Sequence, residues 1–296
     1  MRVYSTPLFV LPLPDGHRFP MERYRLLYEL VRELEGIDLV VPEPVVEADL
    51  LRVHTDDYVS RALTGRLDKM EQRRLGFPWS AQLVERSLRS VGATLAGARW
   101  AWEQGSLAVN LAGGTHHAFA DRGEGFCLFN DCVVAARHWQ HWLGRKAQVV
   151  FIDCDVHQGN GTAALCRGDD SLFSFSLHGR HNYPFHKEIS DLDVELCDGC
   201  GDEEYLEGLA AGLARLPRAE MAFYLAGADP YEKDRLGRLK VSRAGLARRD
   251  QMVLEHCRER GTPLVITMAG GYSEPIEHTA EIQANTVRLA LDYSSR

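Results

Sequence analysis

The chain reads as an α/β protein with three layers: a mainly parallel β-sheet flanked by helices. Three observations predict this class. Short apolar runs alternate with amphipathic helical segments along the whole sequence, the pattern of strand–helix–strand units. Five of those runs are short and apolar enough to be buried strands. Each of the five then empties into a segment dense in glycine or polar residues.

The first helix is expected to start at Pro20, whose fixed φ and missing N–H suit a first turn, and to stop at Gly36. Within it Tyr24, Leu27, Tyr28, Val31 and Leu34 recur at helical spacing on one face. Gly65 to Ser80, with Arg73, Arg74, Gly76, Phe77 and Pro78, reads as a surface loop. Val84 to Gln104 is helical and rich in Ala and Gly, which lets it lie close against a sheet. Strand Leu107 to Leu111 exits into Gly113-Gly114-Thr115-His116-His117. A helix from Asp131 to Leu143 leads to strand Gln148 to Ile152 and the exit Asp153-Cys154-Asp155-Val156-His157. Strand Leu172 to Leu177 exits at His178-Gly179-Arg180, and helix Glu203 to Leu216 follows. Strand Met221 to Leu225 exits into Ala226-Gly227-Ala228-Asp229, before a helix from Ser242 to Arg260. Strand Leu264 to Met268 exits into Ala269-Gly270-Gly271-Tyr272, and Ile276 to Tyr293 forms the last helix. With no internal repeat or linker, residues 1–296 are expected to form a single domain. Parallel strands put all five exits on one edge of the sheet, where ligands of open α/β folds bind.

Composition narrows the function. A chain of 296 residues, 45% hydrophobic, can bury roughly 75% of its unfolded surface without disulfide staples. Its formal charge of −8 argues against a nucleic-acid partner, which needs a concentrated basic face, and suits a basic substrate better. Seven irregularly spaced cysteines fit a reducing compartment, and Cys197-Asp198-Gly199-Cys200 is a lone C-x-x-C without a second pair. The start lacks the features of a signal peptide, and no run reaches the ~20 apolar residues of a membrane span. A cytoplasmic protein is expected, monomeric by default.

The chemistry concentrates at the exits. Alternate residues of an extended segment point the same way, so Asp153, Asp155 and His157 project to one side at the end of a buried strand. Two carboxylates and an imidazole form a ligand set suited to a divalent ion such as zinc. Gly159 and Gly161 allow a tight turn into the next helix, which Asp155 could alternatively cap. The adjacent His116 and His117 suggest a general base near a metal-activated water. Asp229 offers a third anionic ligand from another exit, although a cap or turn role would also suit it. Tyr272, after two glycines, could donate a hydrogen bond to a developing oxyanion.

These blocks, in order, resemble the signature of the histone deacetylase superfamily, which has an arginase-like fold. The matching segments are Gly113-Gly114-Thr115-His116-His117-Ala118, Gly125-Phe126-Cys127, Asp153-Cys154-Asp155-Val156-His157, Gly227-Ala228-Asp229 and Gly270-Gly271-Tyr272. His17-Arg18-Phe19-Pro20-Met21 is also similar to that family's N-terminal segment. The resemblance implies catalytic zinc on Asp155, His157 and Asp229, with a position left open for water and substrate. It implies His117 as general base and later acid, His116 as its electrostatic partner, and Asp153 as the carboxylate orienting His116. Tyr272 would polarise the carbonyl of an acylated lysine, or of an acylated small amine. Gly125, Phe126, Tyr183 and Gly271 would line the acyl-lysine tunnel. Asp153, Asp155, His157, Ser176 and Leu177 would hold a structural potassium ion. Gln158 and Asn160 stand where many members carry His and Asp, and this departure resembles the class IV branch, associated with long fatty acyl as well as acetyl removal. Asn160 would then partner His117 and shift its pH dependence, a neutral amide stabilising an imidazolium less than a carboxylate does. The implied reaction is zinc-dependent hydrolysis of acetyl- or acyl-lysine. Alternatives are an acetylpolyamine amidohydrolase and a catalytically silent acyl-lysine binder.

Overall fold

Eight strands, β1 (Arg2–Tyr4), β2 (Asp38–Val40), β3 (Leu107–Asn110), β4 (Val149–Asp153), β5 (Leu172–Gly179), β6 (Leu192–Leu196), β7 (Met221–Leu225) and β8 (Leu264–Thr267), form one sheet. The strand order is β2-β1-β3-β8-β7-β4-β5-β6, and every neighbouring pair is parallel. The computed structural model describes residues 1–14 and 16–294, so residues 15, 295 and 296 of the expected domain lie outside the described residues. The helices are α1 (Glu22–Arg32), α2 (Glu47–Leu50), α3 (Asp56–Thr64), α4 (Lys69–Leu75) and α5 (Ala81–Gln104), then α6 (Asp131–Leu143), α7 (Asn160–Cys166), α8 (Asp202–Ala214), α9 (Arg243–Glu259) and α10 (Glu277–Ser294).

The three layers follow from period-two alternation along the central strands. Val149 and Phe151 of β4 pack with Phe223 of β7 against the α5–α6 side, in a cluster that includes Ala98, Val133 and Trp139. Val150, Ile152 and Tyr224 face the opposite side, with Leu209 of α8, Val253 of α9 and Val287 of α10. Each fully buried large aliphatic or aromatic side chain contributes about 1.5–3 kcal/mol, so both faces must be covered. The Ala- and Gly-rich α5 does lie close: a Cβ on Gly97 would sit 3.3 Å from Val265 and 3.6 Å from the Ala108 side chain. Ser80 caps this helix by accepting a hydrogen bond from the Leu83 N–H, and Gly105 ends it at φ +57°.

Two expected elements need correction. Gly65 to Ser80 is not all loop: Lys69–Leu75 is α4, started by Asp68, which accepts from the Met70 and Glu71 N–H groups while Glu71 accepts from the Asp68 N–H. That reciprocal capping box supplies the start signal, while the flanking charges and glycines read as loop. The first helix begins at Glu22, two residues beyond Pro20, and ends at Arg32 rather than Gly36. The strands β1 and β2 have three residues each, too few for a periodic pattern. Strand β6, at an edge, carries Asp193 and Glu195 and so is not an apolar run.

Candidate active site

The five strands expected from the sequence are neighbours at the centre of the sheet, in the order β3-β8-β7-β4-β5. Their exits therefore meet. Asp153, the last residue of β4, pairs in register with Leu225 of β7 and Ser176 of β5. Beyond the strands the chain is stitched across by backbone bonds from Ala226 N–H to Thr267 and from Ala228 N–H to Gly270.

The ligand atoms of Asp155, His157 and Asp229 all lie within 4.8 Å of one another, and all three residues are buried or nearly so. His157 turns Nδ1 towards both carboxylates, 2.9 Å from Asp155 Oδ1 and 3.3 Å from Asp229 Oδ2. Asp155 Oδ2 accepts from the Gly270 N–H at 2.7 Å, and Asp229 Oδ1 from the Val156 N–H at 2.9 Å. Asp229 Oδ2 is buried with no hydrogen-bond partner. Burial and the nearby Asp155 carboxylate push the Asp229 carboxyl up to about 7. An orphaned buried carboxylate oxygen, a second carboxylate and an imidazole nitrogen turned to one point fit a divalent cation. The backbone leaves room only because glycine stands at the approach: a Cβ on Gly270 would lie 1.9 Å from Asp229 Oδ2 and 2.6 Å from Asp155 Oδ2.

The paired histidines lie beside these ligands, and both are buried. His116 Nδ1 is 2.6 Å from Asp153 Oδ2, and its Nε2 is 4.0 Å from Asp155. Burial opposes its charge, yet the Asp153 and Asp155 carboxylates outweigh that and lift it to about 9. His117 is driven the other way, well below its ordinary value, by burial and by the positive charges of His116 and His157. Its Nδ1 meets Asn160 Oδ1 at 2.7 Å, so Nδ1 carries the hydrogen and Nε2 keeps a lone pair. Asn160 in turn donates Nδ2–H to Glu124 Oε1 at 3.2 Å, and the Tyr183 hydroxyl donates to the same oxygen. Glu124, a pure acceptor, thus fixes which way the Asn160 amide points.

Further residues support the loops from behind. Asp131, at the start of α6, accepts from the Gly114 and Thr115 N–H groups (3.1 and 2.8 Å) and from the Thr94 hydroxyl (2.6 Å). Arg23 is buried and donates to the carbonyls of Ala269 and Gly271, at 2.9 and 3.0 Å, bracing the loop that bears Tyr272. Arg249, fully buried and paired with Asp250, donates to the Gly227 carbonyl below Asp229. Asp234 accepts from the Tyr272 N–H at 2.6 Å. None of these supporting residues stands out in the sequence, since each acts on a segment at least 16 positions away and carries no local pattern of its own. A buried arginine is the one partial signal: such a residue needs partners.

Two connected spaces reach the site. An inner chamber of about 50 Å³ is lined by Arg23, Tyr24, Arg86 and Ser90 as well as site residues. An outer bowl of about 550 Å³ opens above it. His117, Gly125, Phe126, His157 and Tyr272 line both, so they form the neck between them. Gly125 at φ +54° and Phe126 at φ +68° carry the neck in left-handed backbone. A Cβ on Gly125 would lie 2.5 Å from the His117 ring. Tyr183 lines the bowl with its ring 5.0 Å from that of His117. Gly271 sits at φ +153°, next to Tyr272. Ser176 lies beside Asp153 in the sheet, with its hydroxyl 3.0 Å from His178 Nδ1, and Leu177 is buried next to it. All the site residues expected from the sequence therefore gather around this one edge of the sheet.

Known proteins share this frame. A crystal structure of an HDAC homologue complexed with SAHA superposes with a TM-score of 0.83 at 23% identity, covering 98% of this chain and 83% of that one. The HDAC homologue from Aquifex aeolicus gives 0.82 at 22%, covering 100% and 84%. An uncharacterised protein of Picosynechococcus is 43% identical over 279 residues, 91% of each chain. Histone deacetylase 2 of Arabidopsis thaliana is 32% identical over 274 residues, 86% of this chain and 67% of that protein. The acetoin utilization protein AcuC of Bacillus subtilis is 29% identical over 267 residues, 81% and 68% of the two chains. Residues 17–289 match the histone deacetylase domain model, and the chain belongs to the histone deacetylase family.

Proposed function

We propose that this protein hydrolyses the amide of an acylated lysine side chain, with zinc held by Asp155, His157 and Asp229 and a small acyl group as the part removed. The observation that carries the reading is the pairing, at the foot of a narrow neck, of that ligand trio with two buried histidines, His116 facing the Asp153 carboxylate and His117 facing the neutral amide of Asn160. A divalent cation there supplies Lewis-acid polarisation of the amide carbonyl and makes a water more acidic.

The rest of the work falls to the chain. The neck takes an extended alkyl chain past Phe126, and Gly125, lacking a Cβ, lets its loop lie against the His117 ring. His117 enters the reaction neutral, and its Nε2 takes the water proton while Asn160 holds the Nδ1–H. Tyr272 keeps its phenolic proton, because burial pushes its titration well above the ordinary value, and donates to the developing oxyanion. His116, held charged by Asp153, stabilises negative charge beside it. His117 then returns its proton to the leaving amine. The inner chamber has room for about four water-sized groups, which suits acetyl rather than a fatty chain. Its Arg23 and Arg86 offer positive charge to the released carboxylate. A structural potassium ion is proposed beside Asp153, with Asp155, His157, Ser176 and Leu177.

The test is a panel of lysine peptides carrying acetyl, butyryl and myristoyl groups, with acetylputrescine alongside, each run with and without a chelator. Turnover of acetyl-lysine that is lost on chelation and regained with zinc is expected. Turnover of acetylputrescine alone, or of the myristoyl peptide in preference to acetyl, would overturn the substrate assignment.

A further inference from the structure

The sign of the charge at the mouth is opposite to that of the whole chain. The bowl is lined by Arg18, Arg73, Arg74, Arg238 and His181, and no carboxylate is among its lining residues. Arg238 and His181 are offset by Asp198, at 3.2 and 3.3 Å. Among the described residues, Arg18, Arg73 and Arg74 have no carboxylate within ion-pair distance of their guanidinium groups. Arg18 instead lies over the Phe126 ring, 5.2 Å from its centroid, at the entrance to the neck. The last turn of α4 favours basic residues because of its dipole, which accounts for Arg73 and Arg74 locally. It does not account for Arg18, which comes from the segment before α1 and lines the same bowl. Like charges gathered in a concave, low-dielectric wall focus their field outward. The formal charge of −8 is therefore a poor guide to what docks here.

We propose that the bowl docks an acidic protein segment, so that the substrate is an acyl-lysine flanked by aspartate or glutamate. This rests on the acyl-lysine reading of the neck. A peptide is favoured over a small amine by the size of the bowl and by Phe185, an aromatic 82% exposed on its wall. An acetylpolyamine, cationic at its free amines, would meet the guanidinium groups of Arg18, Arg73 and Arg74 with repulsion.

The experiment uses three labelled acetyl-lysine peptides with Glu, Ser or Lys flanks, and reads both kcat/KM and equilibrium binding by anisotropy. At low salt the Glu-flanked peptide is expected to bind and turn over about tenfold better than the Lys-flanked one, through KM. The preference should shrink between about 0.05 M and about 0.5 M salt, where the screening length falls to a few ångströms. Arg18→Glu/Arg74→Glu should reverse it. Arg218→Glu, before β7 at the opposite edge of the sheet, should leave it as in the wild type. Equal binding of the three peptides, or a preference that survives the double substitution, overturns the proposal. Charge-dependent binding without turnover of any peptide supports the bowl's role while refuting the hydrolase reading.

Discussion

The rings of His116 and His117 lie 4.1 Å apart, yet their surroundings push their titration in opposite directions. Asp153 faces Nδ1 of the first, and the neutral amide of Asn160 faces Nδ1 of the second. Neighbouring residues in sequence thus divide the work of holding a charge and moving a proton, and the charge on His116 itself helps keep His117 neutral. His117→Ala is expected to lower kcat on an acetyl-lysine peptide by about 10²–10⁴-fold. Zinc content should stay near one per chain, as metal analysis would show. Full activity in the variant would remove His117 from its assigned role.

Glu124 places a carboxylate one hydrogen bond beyond Asn160, at 3.2 Å. Asn160→Asp would set a buried carboxylate against that of the partly buried Glu124, and their repulsion favours a proton on one of them. The single variant is expected to lose both stability and kcat. Adding Glu124→Gln should restore much of each, with a coupling energy of about 1–3 kcal/mol in a double-mutant cycle. In that double variant the new carboxylate favours the His117 imidazolium, so the acid limb of the rate profile should move to higher pH. Additive effects in the cycle, or an unmoved limb, would contradict the assigned network.

Gly270→Ala tests the approach to the ligand trio. Its Cβ would fall 1.9 Å from Asp229 Oδ2. Zinc affinity by calorimetric titration is expected to drop on the order of 100-fold, while circular dichroism keeps the wild-type fold. Unchanged affinity would mean that the Asp229 carboxylate is not a ligand.

A histidine remote from the chemistry should show in the pH dependence of stability. His54 is buried, with Nδ1 2.9 Å from the Phe119 carbonyl and Nε2 accepting from the Asn130 N–H at 3.1 Å. That arrangement admits only the neutral ring, and burial lowers its folded pKa from 6.5 to about 4. Between those values the unfolded chain holds the extra proton. This contribution to stability is therefore complete above pH 6.5 and lost as pH falls towards 4, in total about 3 kcal/mol. Urea midpoints measured across that window should fall for the wild type and fall less steeply for His54→Asn. Parallel slopes would show that His54 titrates normally in the folded protein.

Local pattern determined a good deal of this protein. Apolar runs and helical spacing marked the five central strands and most long helices, and the residues at the strand exits marked the chemistry. Hydrophobic burial acts on such runs wherever they sit, so their signal survives in one dimension. Short elements such as β1 and β2 left no trace, because three residues cannot show a period, and α4 was hidden within a charged, glycine-flanked stretch despite the capping box at its start. What only the tertiary structure decided is how distant side chains meet. Arg249 beneath Gly227, Glu124 behind Asn160, and Arg18 gathered with Arg74 around one bowl depend on strand order and loop path. A charge or a hydrogen bond between residues far apart in the chain has no sequence period to announce it; it exists only once the backbone has brought the two groups within a few ångströms.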